Sequence, residues 1–402
     1  MAAELKPRWG QPLTGIISFF TFFFIGWGLW YVLSDPRGPV GWFPYPFVMF
    51  LAMMILVGLW QHMILGDWPF QNLSQPTRGI VQTIVNAILV WFVIDVIFYR
   101  ILGLGFNFLS YYGLVELEKS GTLAQVAVVC FVLIGFFSYP VVTIFFGKWP
   151  IRPSNLEQPA AGFAELGWTS LLTLFFYVIL IVPFFGLIYK GPALSTPWWT
   201  SFAGTGHVHW VFGWWEWAII ILFMTANVWR GKPWTLINVP QPMKGIICML
   251  TTFAAAYCIA LVCKAIAPSW IPAETFHHLQ EAKGASEVQR FLWLHSAEIA
   301  GFTLIPFLIW HHYFDDAAFG LAKDGWPAFF LRTVGVLALA AASYYFFYYI
   351  NFGHWGLGNH HMAESAAKFS HGESLIWCFW SIIPLLWNEW FFHKWPFYVH
   401  EE

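Results

Sequence analysis

Gln241-Pro242-Met243-Lys244-Gly245 carries a signature, Gln-Pro-x-x-Gly, that recurs along this chain. The copies that begin at residues 75, 158 and 241 are 83 residues apart, and a further copy begins at residue 11. Four such copies are not expected by chance, so the sequence predicts one structural unit that is repeated about five times. The predicted repeats cover approximately residues 9–69, 70–150, 151–234, 235–326 and 327–396.

The composition favours lipid as the solvent of this chain. Of its 402 residues, 59% are hydrophobic and only 10% are charged, whereas a soluble domain has roughly 25% charged residues. The net charge of −2 shows no excess of basic residues of the kind that binds nucleic acid. The five cysteines stand in apolar runs without a CxxC pair, so we expect buried free thiols rather than disulfides or a zinc ribbon.

Apolar stretches of span length occur ten times, since a membrane-spanning helix needs about 20 such residues. Two spans fall in each repeat, so the predicted fold class is an all-α integral membrane protein with about ten transmembrane helices. They form five tandem parallel-repeat helical hairpins in one polytopic domain, residues 1–402. The predicted spans are 12–34, 44–66, 77–102, 122–147, 162–189, 207–230, 243–266, 289–313, 327–350 and 371–393.

The signature is best interpreted as a repeated connector. Proline suits the first turn of a helix, because its missing N–H has no partner to lose there. The glycine three residues after it lets a neighbouring backbone come close. Trp-Pro pairs such as Trp68-Pro69 and Trp149-Pro150 precede copies of the signature, and tryptophan suits the membrane interface. The pattern therefore predicts the end of one span, a tight interfacial loop and the start of the next.

The distribution of Lys and Arg predicts on which side of the membrane the connectors lie. Because each repeat holds two spans, all Trp-Pro loops lie on the same side as the N-terminus. That side carries eleven Lys and Arg residues and the other side eight. The positive-inside rule then predicts that both termini are cytoplasmic, in a bacterial inner membrane.

Histidine is unevenly distributed, with eleven of the fourteen between residues 207 and 371. Most of these fall near the outer face of the predicted bundle. Imidazole is the commonest metal-binding side chain, carboxylates join it for harder ions, and helix bundles build metal sites from several helices. The sequence therefore predicts a copper or iron site near the outer face. Its candidate ligands are His207, His209, Glu216, His295, Glu298, His354, His360, His361 and His371.

Three of these positions have a specific reason. His295 and Glu298 are three residues apart and share one helix face. Glu216 stands among tryptophans within a span, where a charged residue usually marks function. His311 and His312, at the opposite end of the eighth span, are interpreted as interfacial anchors.

Three functions remain open from sequence. The first is a metal- or haem-binding subunit of a redox system, an oxidoreductase or its subunit, with other membrane or periplasmic redox subunits as partners. In its haem b version, His209 and His371 are the axial ligands, because they lie 25 and 24 residues before Trp234 and Trp395. The second is a proton- or cation-coupled transporter or channel, and the third a membrane anchor for a redox or assembly partner. No catalytic residue is assigned.

Overall fold

The computed structural model describes residues 5–35, 38–40, 47–101, 122–152, 155–180, 207–271, 273–315, 325–350 and 372–400. Most of these residues are helical, as an all-α membrane protein requires. The α-helices are α1 (Leu13–Leu33), α2 (Phe47–Leu59), α3 (Thr77–Trp91), α4 (Thr122–Ile144), α5 (Ala160–Leu180), α6 (His207–Asn227), α7 (Met243–Ile266), α8 (Ala273–Lys283), α9 (Ala285–Tyr313), α10 (Trp326–Tyr345) and α11 (Gly372–Trp390). Helices α2, α3 and α10 continue directly into π-helical segments, Trp60–Ile64, Phe92–Ile101 and Phe346–Ile350.

Two short strands join the ends of the described chain. Strands β1 (Leu5–Pro7) and β2 (Tyr398–His400) pair antiparallel, with Leu5 opposite His400. Arg8 extends this contact by donating its backbone N–H to the carbonyl of Phe397 at 2.9 Å. The start and the end of the described chain therefore lie side by side.

Six of the helices in the described ranges are long and apolar enough to cross a membrane: α1, α3, α5, α7, α9 and α10. In five of them, all except α9, only 17–33% of the residues in the most apolar stretch are buried. Large side chains such as Phe20, Ile84 and Leu250 lie exposed on these helices. Apolar faces of this size indicate contact with the lipid bilayer.

The opposite face of the same helices is lined by small and polar residues. In α5 the buried stripe is Gly162, Glu165, Thr169, Thr173 and Tyr177. Lipid supplies no hydrophobic force that drives helices together, so interfaces in membranes rely on close packing of small residues and on hydrogen bonds. These helices therefore turn their polar side inward and their apolar side outward.

Five of the described helices contact one another in a closed cycle. Helix α2 contacts α4, α4 contacts α6, α6 contacts α9, α9 contacts α11, and α11 contacts α2 again. We call these the inner helices, and α1, α3, α5, α7 and α10 the outer helices. Aromatic side chains fill the interior, and Phe137, Trp215 and Phe307 are fully buried.

The Gln-Pro-x-x-Gly signature attaches outer helices to the ends of inner helices. Its glutamine donates a side-chain hydrogen bond to a carbonyl at the end of an inner helix, where backbone acceptors lack partners. Its glycine leaves room for the next residue: a Cβ on Gly245 would lie 2.4 Å from the ring of Phe146. The four bonds are Gln11 to Tyr313 O (2.7 Å), Gln75 to Phe391 O (2.8 Å), Gln158 to Ile64 O (3.4 Å) and Gln241 to Phe145 O (2.8 Å).

These attachments follow one rule around the cycle. Each outer helix precedes an inner helix in the chain and binds the inner helix two places before that one. Thus α5 binds the end of α2, and α7 binds the end of α4. Helices α1 and α3 obey the same rule only by reaching α9 and α11 near the end of the chain. A row of units would leave α1 and α3 without these partners, so the arrangement is a closed ring.

The fifth outer helix, α10, keeps the attachment without the signature. Arg332 donates from Nη1 to the carbonyl of Val228 at 3.1 Å, and Trp229 Nε1 donates to Thr333 Oγ1 at 2.7 Å. Val228 and Trp229 follow α6 as Phe145 and Phe146 follow α4. The contact therefore has the same position as in the other outer helices, although different side chains make it.

Candidate functional site

His295 and Glu298 form a buried pair in α9. They lie one helical turn apart, and their side chains meet with Nδ1 2.7 Å from Oε2. His295 is 0% exposed and Glu298 6% exposed. A charged residue within a spanning helix is costly unless it is paired, and it usually marks function.

Helices α10 and α11 complete the hydrogen bonding of this pair. Tyr348, in the π-helical segment after α10, donates its hydroxyl to Glu298 Oε2 at 2.8 Å. Ser374, in the first turn of α11, donates a short hydrogen bond to Glu298 Oε1. The hydroxyl of Tyr344 lies 2.8 Å from His295 Nε2. We call His295, Glu298, Tyr344, Tyr348 and Ser374 the buried network.

Packing holds the imidazole of the buried network in one orientation. The ring of Phe291 stacks on that of His295, with centroids 5.6 Å apart and planes 8° from parallel. The π-helical segment Phe346–Ile350 places Tyr348 within reach of Glu298, and such segments are frequent at functional sites. Trp270 Nε1 donates to the hydroxyl of Tyr344 at 3.3 Å, and Trp270 itself is exposed. Tyr344 therefore links the buried pair to the surface.

The buried network can take up a proton without moving its heavy atoms. With neutral imidazole, His295 Nδ1–H donates to Glu298, and Nε2 accepts from the Tyr344 hydroxyl. When a proton binds at Nε2, the Tyr344 oxygen becomes the acceptor and its own hydrogen turns away. Every contact between heavy atoms persists in both states. Both imidazole nitrogens are engaged by protein groups in this arrangement.

Glu216 supplies a second buried carboxyl group, on the neighbouring inner helix α6. It is buried, and no described residue forms a hydrogen bond or ion pair with it. Helices α6 and α9 touch at Gly213, where a Cβ would lie 2.4 Å from the carbonyl oxygen of Trp293.

The structure brings together two of the residues that the sequence predicts as ligands, His295 and Glu298, and places Glu216 on the neighbouring inner helix α6. His207 and His209 stand in the first turn of α6, and their side chains lie outside the described residues. The remaining predicted ligands also lie outside the described residues: His354, His360, His361 and His371. Sequence reasoning missed Tyr344, Tyr348 and Ser374, although the spacing of the two tyrosines places them on one helix face.

A second set of titratable residues lies at the other end of α9. His312 Nδ1 is 3.2 Å from Glu389 Oε1 on α11, with side chains 17% and 18% exposed. Lys394 Nζ lies 3.7 Å from the other oxygen of Glu389. The predicted anchor His312 is thus paired with a carboxylate of the adjacent inner helix.

His62, Asp67 and His393 lie near the same end, and we call them the terminal-side cluster. His62 Nδ1 is 3.1 Å from Asp67 Oδ1, and His393 Nε2 is 3.5 Å from Asp67 Oδ2. Burial raises the pKa of Asp67, but the close approach of His393 and the hydrogen bond from His62 outweigh it and hold the pKa well below its usual range. No sequence pattern pointed to Asp67 or His393 as site residues.

Comparison of this chain with protein-family models, with curated proteins and with solved structures finds no match. The functional assignment therefore depends on the side chains and their geometry alone.

Proposed function

We propose that this chain transfers protons across the membrane, with the buried network as its proton-binding site. The observation that carries the proposal is that both nitrogens of the buried His295 lie within hydrogen-bond distance of groups that can exchange protons with it, Tyr344 and Glu298. Among the functions open from sequence, this is the proton-coupled transporter or channel. Buried ionisable residues that pair within a bundle commonly act as proton relays in membrane proteins.

The position of titratable pairs along α9 supports a path through the ring. His295 and His312 are separated by 17 residues of one helix, which corresponds to about 25 Å along its axis. This length approaches the hydrocarbon thickness of about 30 Å. Helix α11 supplies a partner at both ends, Ser374 and Glu389. Glu216 is the intermediate carboxyl group in the proposed path.

The same proposal includes the finer architecture. Five tandem hairpins, each with one outer and one inner helix, account for the cyclic contacts, and they make ten spans. Pairing of β1 with β2 supports termini on one side, and the charge bias assigns that side to the cytoplasm of a bacterial inner membrane. Parallel internal repeats of this kind are known among transporters.

A flux measurement in liposomes tests the proposal. The purified protein is reconstituted around a trapped pH-sensitive dye, and a potassium diffusion potential, negative inside, is imposed with valinomycin. We expect the interior to acidify faster than in protein-free liposomes, in proportion to the amount of protein. Equal rates with and without protein, at both signs of the potential, would contradict the proposal.

A metal- or haem-binding redox subunit is a second candidate, favoured by the contact of α6 with α9 and of α9 with α11. Helices α6 and α9 carry several of the predicted ligands, and α11 begins directly after His371. Because both nitrogens of His295 are engaged, His209 and His371 fit the role of haem b ligands better, and His207 is a further ligand for copper or iron. A bound haem would supply electron transfer to membrane or periplasmic partner subunits.

Elemental analysis and an absorption spectrum of the protein from its native membrane distinguish this second candidate. The redox candidate requires about one iron or copper per chain. Its haem version also requires a haem chromophore that disappears in both His209→Ala and His371→Ala. Retention of the chromophore in both variants excludes the haem version, and a metal-free protein excludes the redox function.

A further inference from the structure

Ring closure creates the terminal-side cluster. His62 stands in the π-helical segment after α2, Asp67 in the following turn, and His393 just after α11. His62 and His393 are far apart in sequence and become neighbours because α11 contacts α2. One ligand atom from each of His62, Asp67 and His393 can be chosen so that all three lie within 4.8 Å of one another.

The distances suit a tetrahedral ion. Asp67 Oδ2 lies 3.2 Å from His62 Nδ1 and 3.5 Å from His393 Nε2. For zinc, ligand bonds of about 2.0–2.2 Å in tetrahedral geometry separate the ligand atoms by about 3.3–3.6 Å. A zinc ion therefore fits between the three side chains with small shifts of the imidazoles.

Helix α3 orients the carboxylate of Asp67. Gln82 Nε2 donates to Oδ1 at 2.9 Å, and Arg78 Nη2 lies 2.5 Å from Oδ2. A carboxylate has about four acceptor positions, so these two groups leave the side facing the histidines for a cation. Ligating carboxylates in metal sites are held by such outer partners. Arg78 binds Oδ2, the oxygen that His393 also approaches, and offsets the charge of the carboxylate.

An unused nitrogen gives an independent indication of a ligand. His393 Nε2 is buried and has no hydrogen-bond partner among the described residues, since the 3.5 Å approach to Asp67 lacks hydrogen-bond geometry. A buried polar atom without a partner is costly and calls for an explanation such as an ion. Trp390 stacks on His62 with centroids 6.1 Å apart and planes 17° from parallel, which fixes the second imidazole.

We propose that His62, Asp67 and His393 bind a divalent transition-metal ion of the zinc class, with the fourth position open. The donor set of two imidazoles and one carboxylate matches ions of this class. This site is separate from the buried network and from the predicted outer-face site, and it does not depend on proton transfer. It would tie the first inner helix to the last.

Zinc binding to the intact protein tests the proposal. The protein, purified with a tag that lacks histidine and stripped with a chelator, is dialysed against zinc and measured by elemental analysis. Loss of an outer partner weakens metal binding by about 10–100-fold, so removal of a ligand in His62→Ala or His393→Ala should weaken it by at least about 100-fold. The control is His277→Ala, an exposed histidine paired with Glu281 on α8, which should bind like the wild type.

Two results would overturn the proposal: a wild type without zinc, or His62→Ala and His393→Ala proteins that hold as much zinc as the wild type. If the variants fail to fold, X-ray absorption at the zinc edge of the wild-type protein tests the proposal without them. The wild-type spectrum should then show imidazole and oxygen ligands without sulfur, whereas sulfur ligands would place the ion elsewhere.

Discussion

Replacing Glu298 with glutamine should reduce potential-driven proton uptake into liposomes to the protein-free level. Glutamine has the same size, and its amide oxygen can still accept one of the two hydrogen bonds that Tyr348 and Ser374 donate to Oε2 and Oε1 of Glu298. It cannot carry a negative charge or exchange a proton with His295, so the relay is interrupted. A positioned proton-transfer group contributes about 100-fold or more to such a step, which sets the size of the expected loss.

A matched variant shows whether the loss of proton uptake is specific to the relay or follows from the removal of any carboxylate. Glu281 lies on α8 and is exposed, paired with His277 at 3.2 Å. Glu281→Gln should keep the wild-type rate of uptake. If Glu298→Gln folds, elutes as the wild type does and conducts protons at the wild-type rate, the buried network has no role in transfer.

Replacing Gly26 with alanine should destabilise the protein, whereas the same change at Gly28 should not. A Cβ on Gly26 would lie 2.6 Å from the carbonyl oxygen of Trp380 and 2.9 Å from Ser381 Cα, so α1 and α11 would have to separate. A Cβ on Gly28 meets nothing within 4 Å. Overpacking of this kind costs about 1–3 kcal/mol.

Thermal unfolding of the two variants in the same detergent checks this expectation. Both changes remove a glycine from α1 two positions apart, so their effect on helix propensity is the same. The difference between them reports the contact of the first outer helix with the last inner helix. Equal unfolding midpoints for Gly26→Ala and Gly28→Ala would argue against the closed ring.

The repeated signature was readable from sequence because each copy is a local pattern, and so was the helical membrane character. What the signature binds was not readable. Gln11 bonds to the carbonyl of Tyr313, 302 residues away, and no local pattern encodes that partner. The closed ring therefore emerges only when the helices are placed together.

The candidate site was predictable only in part for the same reason. His295 and Glu298 share a helix, so their spacing revealed the pair. Tyr344 and Tyr348 stand in an aromatic-rich stretch, where a tyrosine resembles the packing residues around it. His62 is the only histidine of the first two repeats, and its neighbour His393 is brought to it by ring closure.

One local expectation failed for a physical reason. All five cysteines stand in apolar runs, which predicts buried thiols, but Cys258 is exposed. It lies on the face of α7 that also exposes Leu261 and Val262. In a membrane protein, apolar sequence marks the lipid-facing surface as well as the interior, so hydrophobicity alone does not predict burial.

Proton binding by the buried network can be measured directly by infrared difference spectroscopy of the reconstituted protein between about pH 3 and about pH 9, a range that includes the ordinary pKa values of carboxyl and imidazole groups. His295 and Glu298 share one proton in this account. The wild-type spectrum should therefore contain carboxyl or imidazole bands that disappear equally in Glu298→Gln and in His295→Gln. A full wild-type difference spectrum in both variants would contradict the assignment of the network as the proton-binding site.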